Sequence, residues 1–403
     1  MALSRPRFRF ICIALLGLPF ILFYAEAAVV IPWTLPSQID FHPSWAAAVQ
    51  VSHGLSPYPA AVIQGRWQDV QGVAYVYPPL SAWLLQPLAR VPYATASRAW
   101  LIIQQGCVLL LIVVLGRLLH LQRAEHWLLL AIGVLSSTLL QGEIQIGQLN
   151  LLITVLVALW LAAWLQSPRR GVLPLALAIG SKLYPAPLLL PAMLARRWKL
   201  VGGVVAVTVL LPLLTPSASL EYFVRVLPHV TGATDQSRNT ALSASVARAF
   251  HPPTVVLTVA WAIVLVTALL LAVIAIRGLA EDRPSRMLQV LVMVCATPFL
   301  SPLMELGHLV PLILPVFLVA PMAWRGRQYW ALTMIVGGWA VISYHQLLHG
   351  SWGSWAPGES LWEASGGLGA VAVYAGILVI AKRTTSLAGA MVRATGAAMS
   401  SVG

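Results

Sequence analysis

Apolar runs that are long enough to cross a bilayer recur along the whole chain, and this repetition constrains the fold more than any other feature of the sequence. A spanning helix needs about 20 apolar residues. Only 9% of the 403 residues are charged and the mean hydropathy is +0.83, whereas a soluble domain carries roughly 25% charged residues. The pattern predicts an all-α polytopic membrane protein with one membrane-embedded domain over residues 1–403.

Each apolar run is assigned one helix, which predicts about ten spanning helices. They cover residues 8–31, 97–119, 126–142, 148–166, 200–214, 254–276, 287–301, 306–323, 328–347 and 365–381. Residues 171–195 differ, because arginines flank both sides and prolines at this density break a helix. We expect a broken, re-entrant pair there, with two full spans as the alternative. Lys182 would lie near the break, inside the membrane, away from lipid and nearer the cytoplasmic half.

The basic residues indicate the orientation of the chain. The net charge is +13, but the 25 Lys and Arg residues form short clusters between the apolar runs rather than one basic face, so no nucleic-acid partner is expected. Most clusters fall on one side, which the positive-inside rule makes cytoplasmic. Both termini and the tail 384–403 are then cytoplasmic. The long connections 32–96 and 215–252 face outward, and loops of this length usually carry function.

A lone acid, Asp40, opens the first outer connection. An apolar residue follows at every fourth position from Phe41 to Val49, which predicts an amphipathic helix on the membrane surface with Asp40 at its N-terminal end. An aspartate in this position often caps the helix. Because the residue before a proline is pushed out of helical geometry, His42 before Pro43 is the better cap. Asp40 is then free to point elsewhere.

Other polar and aromatic residues gather at the predicted outer side. Tyr58, Tyr75 and Tyr77 follow in the same connection, either as an interfacial aromatic belt or as a wall that binds sugar. Gln148 and Asn150 belong to a polar run between two apolar segments, either as a pocket wall or as side chains that interfacial water satisfies.

The later part of the chain adds ionisable candidates. Gln236 and Arg238 lie in the second outer connection, where the planar guanidinium suits a phosphate but also occurs as a solvated loop charge. Glu305 and His308 are three residues apart and share a face if a helix has begun there. Ionisable groups at membrane depth are functional candidates, although such a pair can satisfy itself.

Neither disulfide nor metal chemistry is indicated by the cysteines. All three of them lie inside apolar runs, and the spacing of the other potential ligands is unconvincing for a metal site. We expect no cofactor, while dependence on a divalent metal is not determined by the sequence.

Several short motifs follow one another along the chain: Asp40, Gly54-x-x-Pro57-Tyr58, Tyr77-Pro78-Pro79-Leu80, Gly147-Gln148-x-Asn150, Lys182-x-x-Pro185, Gln236-Ser237, and Ser301-Pro302 with His308. In this order they resemble glycosyltransferase family 87. The resemblance implies the C-type glycosyltransferase fold. It also implies inverting transfer of a hexose, mannose by default, from a polyprenyl-phosphate donor to a lipid or glycan acceptor. The site would face outward from a bacterial cytoplasmic membrane, among membrane lipids, in the synthesis of cell-envelope glycolipids.

The resemblance also implies roles for individual residues. Asp40 resembles the family's catalytic base, and His308 resembles its histidine after the Ser-Pro break, which we assign to the donor phosphate ahead of Lys182 and Arg238. The residues assigned to the sugar and acceptor are Tyr58, Tyr75, Tyr77, Gln148, Asn150, Gln236 and Glu305. Glu305 and Gly307 stand where members often have an aromatic residue and paired histidines, so another hexose or a pentose stays open as the donor sugar.

Two other functions are compatible with parts of the pattern. A lipid or glycan transporter would need polar sites near the membrane midplane on several spans, and only Lys182 fits that description. A ligase that joins preassembled glycans at the outer face would depend on arginines and histidines rather than on Asp40. Substitution of Asp40 separates the ligase from the glycosyltransferase.

Overall fold

The structure is a computed structural model that describes residues 5–36, 38–66, 74–230, 241, 244, 250, 253–301, 304–348 and 359–400. Helix accounts for 83% of it, and no strand occurs in these ranges. The prediction of an all-α chain is confirmed.

The N-terminal half begins with a long helix, continues through short helices, and then forms longer ones. These are α1 (Arg5–Ala25), α2 (Ile31–Thr34), α3 (Phe41–Ser52), α4 (Ala60–Ile63), α5 (Pro79–Leu84), α6 (Gln86–Ala89), α7 (Tyr93–Leu118), α8 (Ala124–Leu135), α9 (Thr138–Ile146), α10 (Asn150–Gln166) and α11 (Val172–Ser181). A π-helical segment, Glu26–Val30, joins α1 to α2.

The C-terminal half repeats this mixture of short and long helices. Its described α-helices are α12 (Leu190–Leu194), α13 (Trp198–Leu210), α14 (Pro216–Glu221), α15 (Leu227–Val230), α16 (Thr254–Gly278), α17 (Arg283–Ala296), α18 (Ile313–Arg325), α19 (Tyr329–Leu348) and α20 (Glu359–Ser400). A 3-10 helix, Leu306–Leu312, leads into α18.

Several of these helices can cross a bilayer, so the chain is a multi-pass membrane protein. Five are long and apolar enough: Phe8–Thr34, Tyr93–Leu118, Val255–Gly278, Leu306–Arg325 and Ser365–Thr385. Two bent pairs would raise the number to seven, and they are Ala124–Leu135 with Thr138–Ile146 (58°) and Trp198–Leu214 with Pro216–Val230 (111°).

About ten spans are therefore not confirmed. The apolar run at 148–166 forms a helix of 17 residues, Asn150–Gln166, which is shorter than a typical spanning helix. The run at 287–301 is divided between α17 and a 3-10 turn at Thr297–Leu300, which contains Pro298. Proline and short helix length thus limit how many runs meet the dimensions of a bilayer.

The predicted break within 171–195 is confirmed. Helix α11 ends at Ser181, and Lys182 has an extended backbone with φ −148° and ψ 134°. A 3-10 turn at Ala186–Leu189 and the short helix α12 follow. Because Pro185 and Pro187 have no N–H to donate, the helix cannot continue through them. The side chain of Lys182 is buried, as expected.

Helix α10 lies at the centre of the core. It is apolar around its whole circumference, and Trp160 and Trp164 are fully buried, as expected for a helix that other helices surround. It packs against α7, α11 and α17. Its first residue, Asn150, is therefore inside the protein.

The predicted amphipathic helix of the first connection is α3, although its apolar edge packs against protein. Phe41 is buried and stacks on Trp100 of α7 with ring centroids 5.4 Å apart. Trp45 Nε1 donates to the carbonyl of Leu88 in α6 (3.1 Å). The expected cap at His42 is wrong: Asp40 occupies the N-cap position, and His42 lies in the first turn, where the following proline is tolerated.

Candidate active site

A tight turn after α9 brings the chain beside Asp40. Gly147 has φ +78°, a left-handed conformation that favours glycine. A Cβ at this position would lie 2.7 Å from Phe41 Cβ and 2.8 Å from Gln38 Cβ. The preceding carbonyl, that of Ile146, accepts the backbone N–H of Asp40 (2.9 Å). The turn thus needs glycine for both its conformation and the close approach of the Asp40 segment.

Gln38 ties this segment to the helices behind it. Its side chain is fully buried. Nε2 donates to Gln104 Oε1 of α7 (3.2 Å) and to the carbonyl of Ile144 in α9 (3.1 Å). Oε1 accepts from Ser97 Oγ (3.0 Å). Two helices therefore fix the backbone two residues before Asp40.

The Asp40 side chain is buried and does not cap α3, in line with the expectation that it points elsewhere. Its Oδ2 accepts a hydrogen bond from Gln148 Nε2. Its Oδ1 is buried and has no hydrogen-bond partner among the described residues. One carboxylate oxygen is thus held in place, and the other remains able to accept a proton.

Gln148 joins Asp40 to a second carboxylate. Its Nε2 also donates to Glu305 Oε2 (3.2 Å). Glu305 directly precedes the 3-10 helix Leu306–Leu312. Two acids that are far apart in the sequence therefore meet at one amide group.

Asn150 and Glu143 extend the cluster. Glu143, on α9, accepts the backbone N–H of Asn150 at Oε1 (2.8 Å) and its side-chain amide at Oε2 (3.4 Å). The acid thereby satisfies a backbone donor in the first turn of α10, where negative charge is favoured. Asn150 Nδ2 also donates to Gln148 Oε1, and Asn150 Oδ1 accepts from Lys182 Nζ (2.8 Å).

Lys182 lies beside the first connection, so its expected placement nearer the opposite half is wrong. Its Nζ is 4.4 Å from the centroid of the Tyr77 ring, in cation–π contact. The break after α11 carries the lysine to this side, which the sequence pattern alone did not indicate. Burial raises the pKa of Tyr77, with Glu305 and Asp40 acting in the same direction, so the Tyr77 ring stays neutral.

The imidazole ring of His308 lies near Lys182, and its hydrogen bond to the backbone determines its tautomer. Its Nδ1 accepts the backbone N–H of Glu305 (3.0 Å), so in the neutral ring the proton is on Nε2. The ring meets the edge of Tyr184 with centroids 5.4 Å apart, and it lies close enough to Lys182 for the two to interact electrostatically. The Nε2–H and the ammonium group are both suited to an anionic ligand.

The hydroxyl groups of Tyr58 and Tyr75 donate hydrogen bonds to backbone carbonyl groups within the first connection, residues 32–96. Tyr58 Oη donates to the carbonyl of Tyr77 (2.9 Å), and Tyr75 Oη donates to that of Pro78 (2.7 Å). Their rings pack together with centroids 5.6 Å apart. Of the three tyrosines assigned to the sugar, only Tyr77 contacts Lys182 in the described structure.

Gly307 lies directly against the polar cluster. A Cβ there would contact Asn150 Nδ2 and Gln148 Oε1, and it would lie 2.6 Å from Glu143 Oε2. A larger residue at position 307 would therefore have to displace side chains that are hydrogen-bonded to one another.

An apolar cavity of about 330 Å³ adjoins the cluster. Its lining includes Ser181 and Leu149, the sequence neighbours of Lys182 and Gln148. It also includes Leu84 and Ile103, each 42% exposed. The cavity therefore has both exposed apolar side chains and residues next to the polar cluster in its lining.

Two of the predicted site residues, Gln236 and Arg238, lie outside the described residues. No group of three potential metal ligands was found in the described ranges. Glu143 and Gln38 are not among the predicted site residues. Glu143 could be found as the one acid of the polar run before α10, whereas Gln38, a single polar side chain in a connection, gives no signal.

Comparison with known proteins identifies the family. The sequence profile of glycosyltransferase family 87 matches residues 75–302, more than half of the chain. The match includes Gln148, Asn150 and Lys182, whereas Asp40 and His308 lie outside its ends. No curated protein and no solved structure matches the chain. The chain belongs to glycosyltransferase family 87.

Proposed function

We propose that this glycosyltransferase moves a hexose, mannose by default, from a polyprenyl-phosphate donor to a lipid or glycan acceptor, with inversion at the anomeric carbon. The reaction takes place at the outer face of a bacterial cytoplasmic membrane, with both termini on the cytoplasmic side. The observation that carries the proposal is the Asp40 carboxylate: Oδ2 is held by Gln148, and the buried Oδ1 has no partner among the described residues.

Asp40 acts as the general base in this mechanism. The acceptor hydroxyl donates its proton to Oδ1 while its oxygen attacks the anomeric carbon from the side opposite the phosphate. The bond between that carbon and the phosphate oxygen breaks, and the electron pair leaves with the polyprenyl phosphate. A positioned base contributes about 10²- to 10⁴-fold to such a step.

Lys182 and His308 are suited to the leaving phosphate. The phosphate gains charge as its bond to the sugar breaks, so it needs cations and hydrogen-bond donors more than a general acid. Lys182 supplies the ammonium group, and His308 supplies Nε2–H because its Nδ1 already accepts the N–H of Glu305. The C-type fold and an accessory phosphate contact from Arg238 belong to the same proposal.

The apolar cavity supports a donor that is carried on a lipid. Ser181, the neighbour of Lys182, lines it, so a hydrocarbon chain in the cavity would bring its phosphate toward the ammonium group. The exposed rim at Leu84 and Ile103 would admit the chain from the bilayer.

The test is transfer of radiolabelled mannose from polyprenyl-phosphate-mannose to endogenous lipid in membranes with matched expression. We compare wild type, Asp40→Asn and Asp282→Asn. The last is a matched control, because Asp282 caps α17 through Ser285 N–H (2.8 Å) and asparagine also caps well. We expect Asp40→Asn to lose about 10²-fold or more and the control to match wild type.

The other outcomes contradict different parts of the proposal. Equal transfer by wild type and Asp40→Asn would exclude Asp40 as the base. Transfer only from another polyprenyl-linked sugar would correct the donor sugar and retain the mechanism. If no polyprenyl-linked sugar is used, the proposed donor is wrong.

A further inference from the structure

The amide side chains of Gln148 and Asn150 connect the base to the buried lysine through an unbroken chain of hydrogen bonds. Lys182 Nζ donates to Asn150 Oδ1 (2.8 Å), Asn150 Nδ2 donates to Gln148 Oε1, and Gln148 Nε2 donates to Asp40 Oδ2. All three bonds run in one direction, from the ammonium group to the carboxylate. Hydrogen bonds aligned in this way polarise one another.

The ends of the chain allow only one orientation of each amide. An ammonium group only donates, and an ionised carboxylate only accepts. The second amide hydrogens are also used, because Asn150 donates to Glu143 Oε2 (3.4 Å) and Gln148 donates to Glu305 Oε2 (3.2 Å). Asn150 is 0% and Gln148 is 5% exposed, so water has little access to replace these partners.

We propose that Gln148 and Asn150 are positioning residues that couple the Asp40 base to the charge on Lys182. They hold Oδ2 in place and thereby leave Oδ1 as the oxygen that takes the proton. This role replaces their assignment as sugar or acceptor contacts, since their side-chain polar atoms are already engaged with the protein. The inference rests on the proposed function insofar as it treats Asp40 as the base.

A substitution that reverses the middle of the chain tests this coupling. In Asn150→Asp, an acceptor replaces the amide group that faces Gln148. Gln148 then turns over to donate to the new carboxylate, and its oxygen faces Asp40 and Glu305. Asp40 loses its donor, so its protonated form is favoured.

Charged groups near Asp40 could also affect it without the hydrogen-bond chain. Among the described residues, the titratable groups around it are Lys182, Glu143, Glu305 and Tyr77. None of them is changed by Gln148→Met, which removes both donated hydrogen bonds without adding charge. This second variant therefore separates the hydrogen-bond chain from a general electrostatic effect.

The kinetic test uses purified enzyme with the polyprenyl-linked donor that supports transfer. For Asn150→Asp and Gln148→Met we expect kcat to fall about 10- to 100-fold, with the acceptor KM within about threefold of wild type. The acid limb of the pH–rate profile should move upward by about one pH unit or more. Gln145→Met is the matched control, because this exposed glutamine on α9 donates to the Ala27 carbonyl (2.9 Å) instead.

A measurement independent of transfer separates this inference from the proposed function. The infrared band of the Asp40 carboxylate is isolated by subtracting the spectrum of Asp40→Asn, and its titration midpoint is followed in folded, monodisperse protein. We expect the midpoint to rise in Asn150→Asp and in Gln148→Met and to stay unchanged in Gln145→Met.

Each outcome bears on one of the two proposals. If the titration midpoint of Asp40 is unchanged in folded Asn150→Asp and Gln148→Met, the coupling is overturned, whatever the transfer rate. A raised midpoint without transfer from any polyprenyl-linked sugar supports the coupling and contradicts the proposed function. If Asn150→Asp does not fold, Gln148→Met alone decides, because it adds no charge to the core.

Discussion

Replacement of Gly147 by alanine tests how tightly the turn holds the Asp40 segment. Its left-handed conformation, φ +78°, costs an L-residue roughly 1–2 kcal/mol. The new Cβ would lie 2.7 Å from Phe41 Cβ and 2.8 Å from Gln38 Cβ, well inside the usual carbon–carbon distance of about 3.5–4.0 Å. Such overpacking costs about 1–3 kcal/mol. Together we expect Gly147→Ala to lower the free energy of unfolding by about 2–5 kcal/mol.

Gly54 provides the matched control for this prediction. It has nearly the same backbone conformation, φ +72°, but no described atom lies within 4 Å of the position of a Cβ. Gly54→Ala should therefore cost only the roughly 1–2 kcal/mol of backbone strain. The difference between the two variants isolates the close approach of the Asp40 segment to Gly147.

The assay is reversible unfolding in mixed micelles with an increasing fraction of sodium dodecyl sulfate, followed by circular dichroism. Transfer is measured on the same preparations. Gly147→Ala should also lower kcat, because the Ile146 carbonyl that accepts the Asp40 N–H (2.9 Å) directly precedes the turn and small misplacements of a reacting group are costly. Equal losses of stability in Gly147→Ala and Gly54→Ala would refute the steric reasoning.

Three further predictions follow from the contacts of the site. Gly307→Ala places a Cβ against the side chains of Asn150, Gln148 and Glu143, so kcat should fall about 10²-fold. A wild-type kcat in transfer assays would contradict this. His308→Asn keeps an acceptor for the Glu305 N–H but loses the Nε2–H that would donate to the phosphate. The kcat/KM for the donor should therefore fall about 10- to 100-fold, and an unchanged value would exclude a phosphate contact. Tyr75→Phe removes the bond to the Pro78 carbonyl and should cost about 1–3 kcal/mol of stability with wild-type kcat, as measured by unfolding and transfer. Because burial raises the pKa of Tyr75, the unfolded state loses this proton first. The wild type should therefore lose stability as the pH rises above about 10, and Tyr75→Phe should lose less.

The features that the sequence predicted correctly depend on local chemistry. The segment around Lys182 is broken where Pro185 and Pro187 lie two residues apart and both lack an N–H, whereas a single proline is accommodated within α1 (Pro19) and α18 (Pro321). The apolar positions from Phe41 to Val49 repeat with a helical period, and helix α3 follows. The role of Asp40 as the base stays a prediction, which rests on the cost of placing a lone acid beside an apolar run.

The features that the sequence missed depend on contacts between distant segments. Lys182 was assigned to the wrong half because flanking charges report where a segment enters the membrane, not how far a broken helix carries one side chain. Its contacts with Tyr77 and Asn150 arise only when α10 and α11 pack together. The cap at His42 was wrong because a proline in the first helical turn costs no hydrogen bond within the helix.

Sequence motifs name several residues that the structure brings close together, but they do not give the contacts between them. Asp40 and Gln148 are 108 residues apart, so their hydrogen bond could not be read from spacing. Glu143 belongs to a polar run that is visible in the sequence. Its hydrogen bond to the N–H of Asn150, the first residue of α10, forms because the chain turns at Gly147. Motifs therefore name candidate residues, whereas the packing of distant segments determines which of them are in contact.

The apolar cavity has a practical consequence for purified protein. A detergent tail is a hydrocarbon chain, and the rim at Leu84 and Ile103 is open to the medium that replaces the bilayer. Detergent molecules can therefore occupy the cavity of about 330 Å³ and compete with any lipid-linked substrate. Apparent donor affinity should then depend on the tail length and concentration of the detergent, and reconstitution into a bilayer disc should remove that dependence.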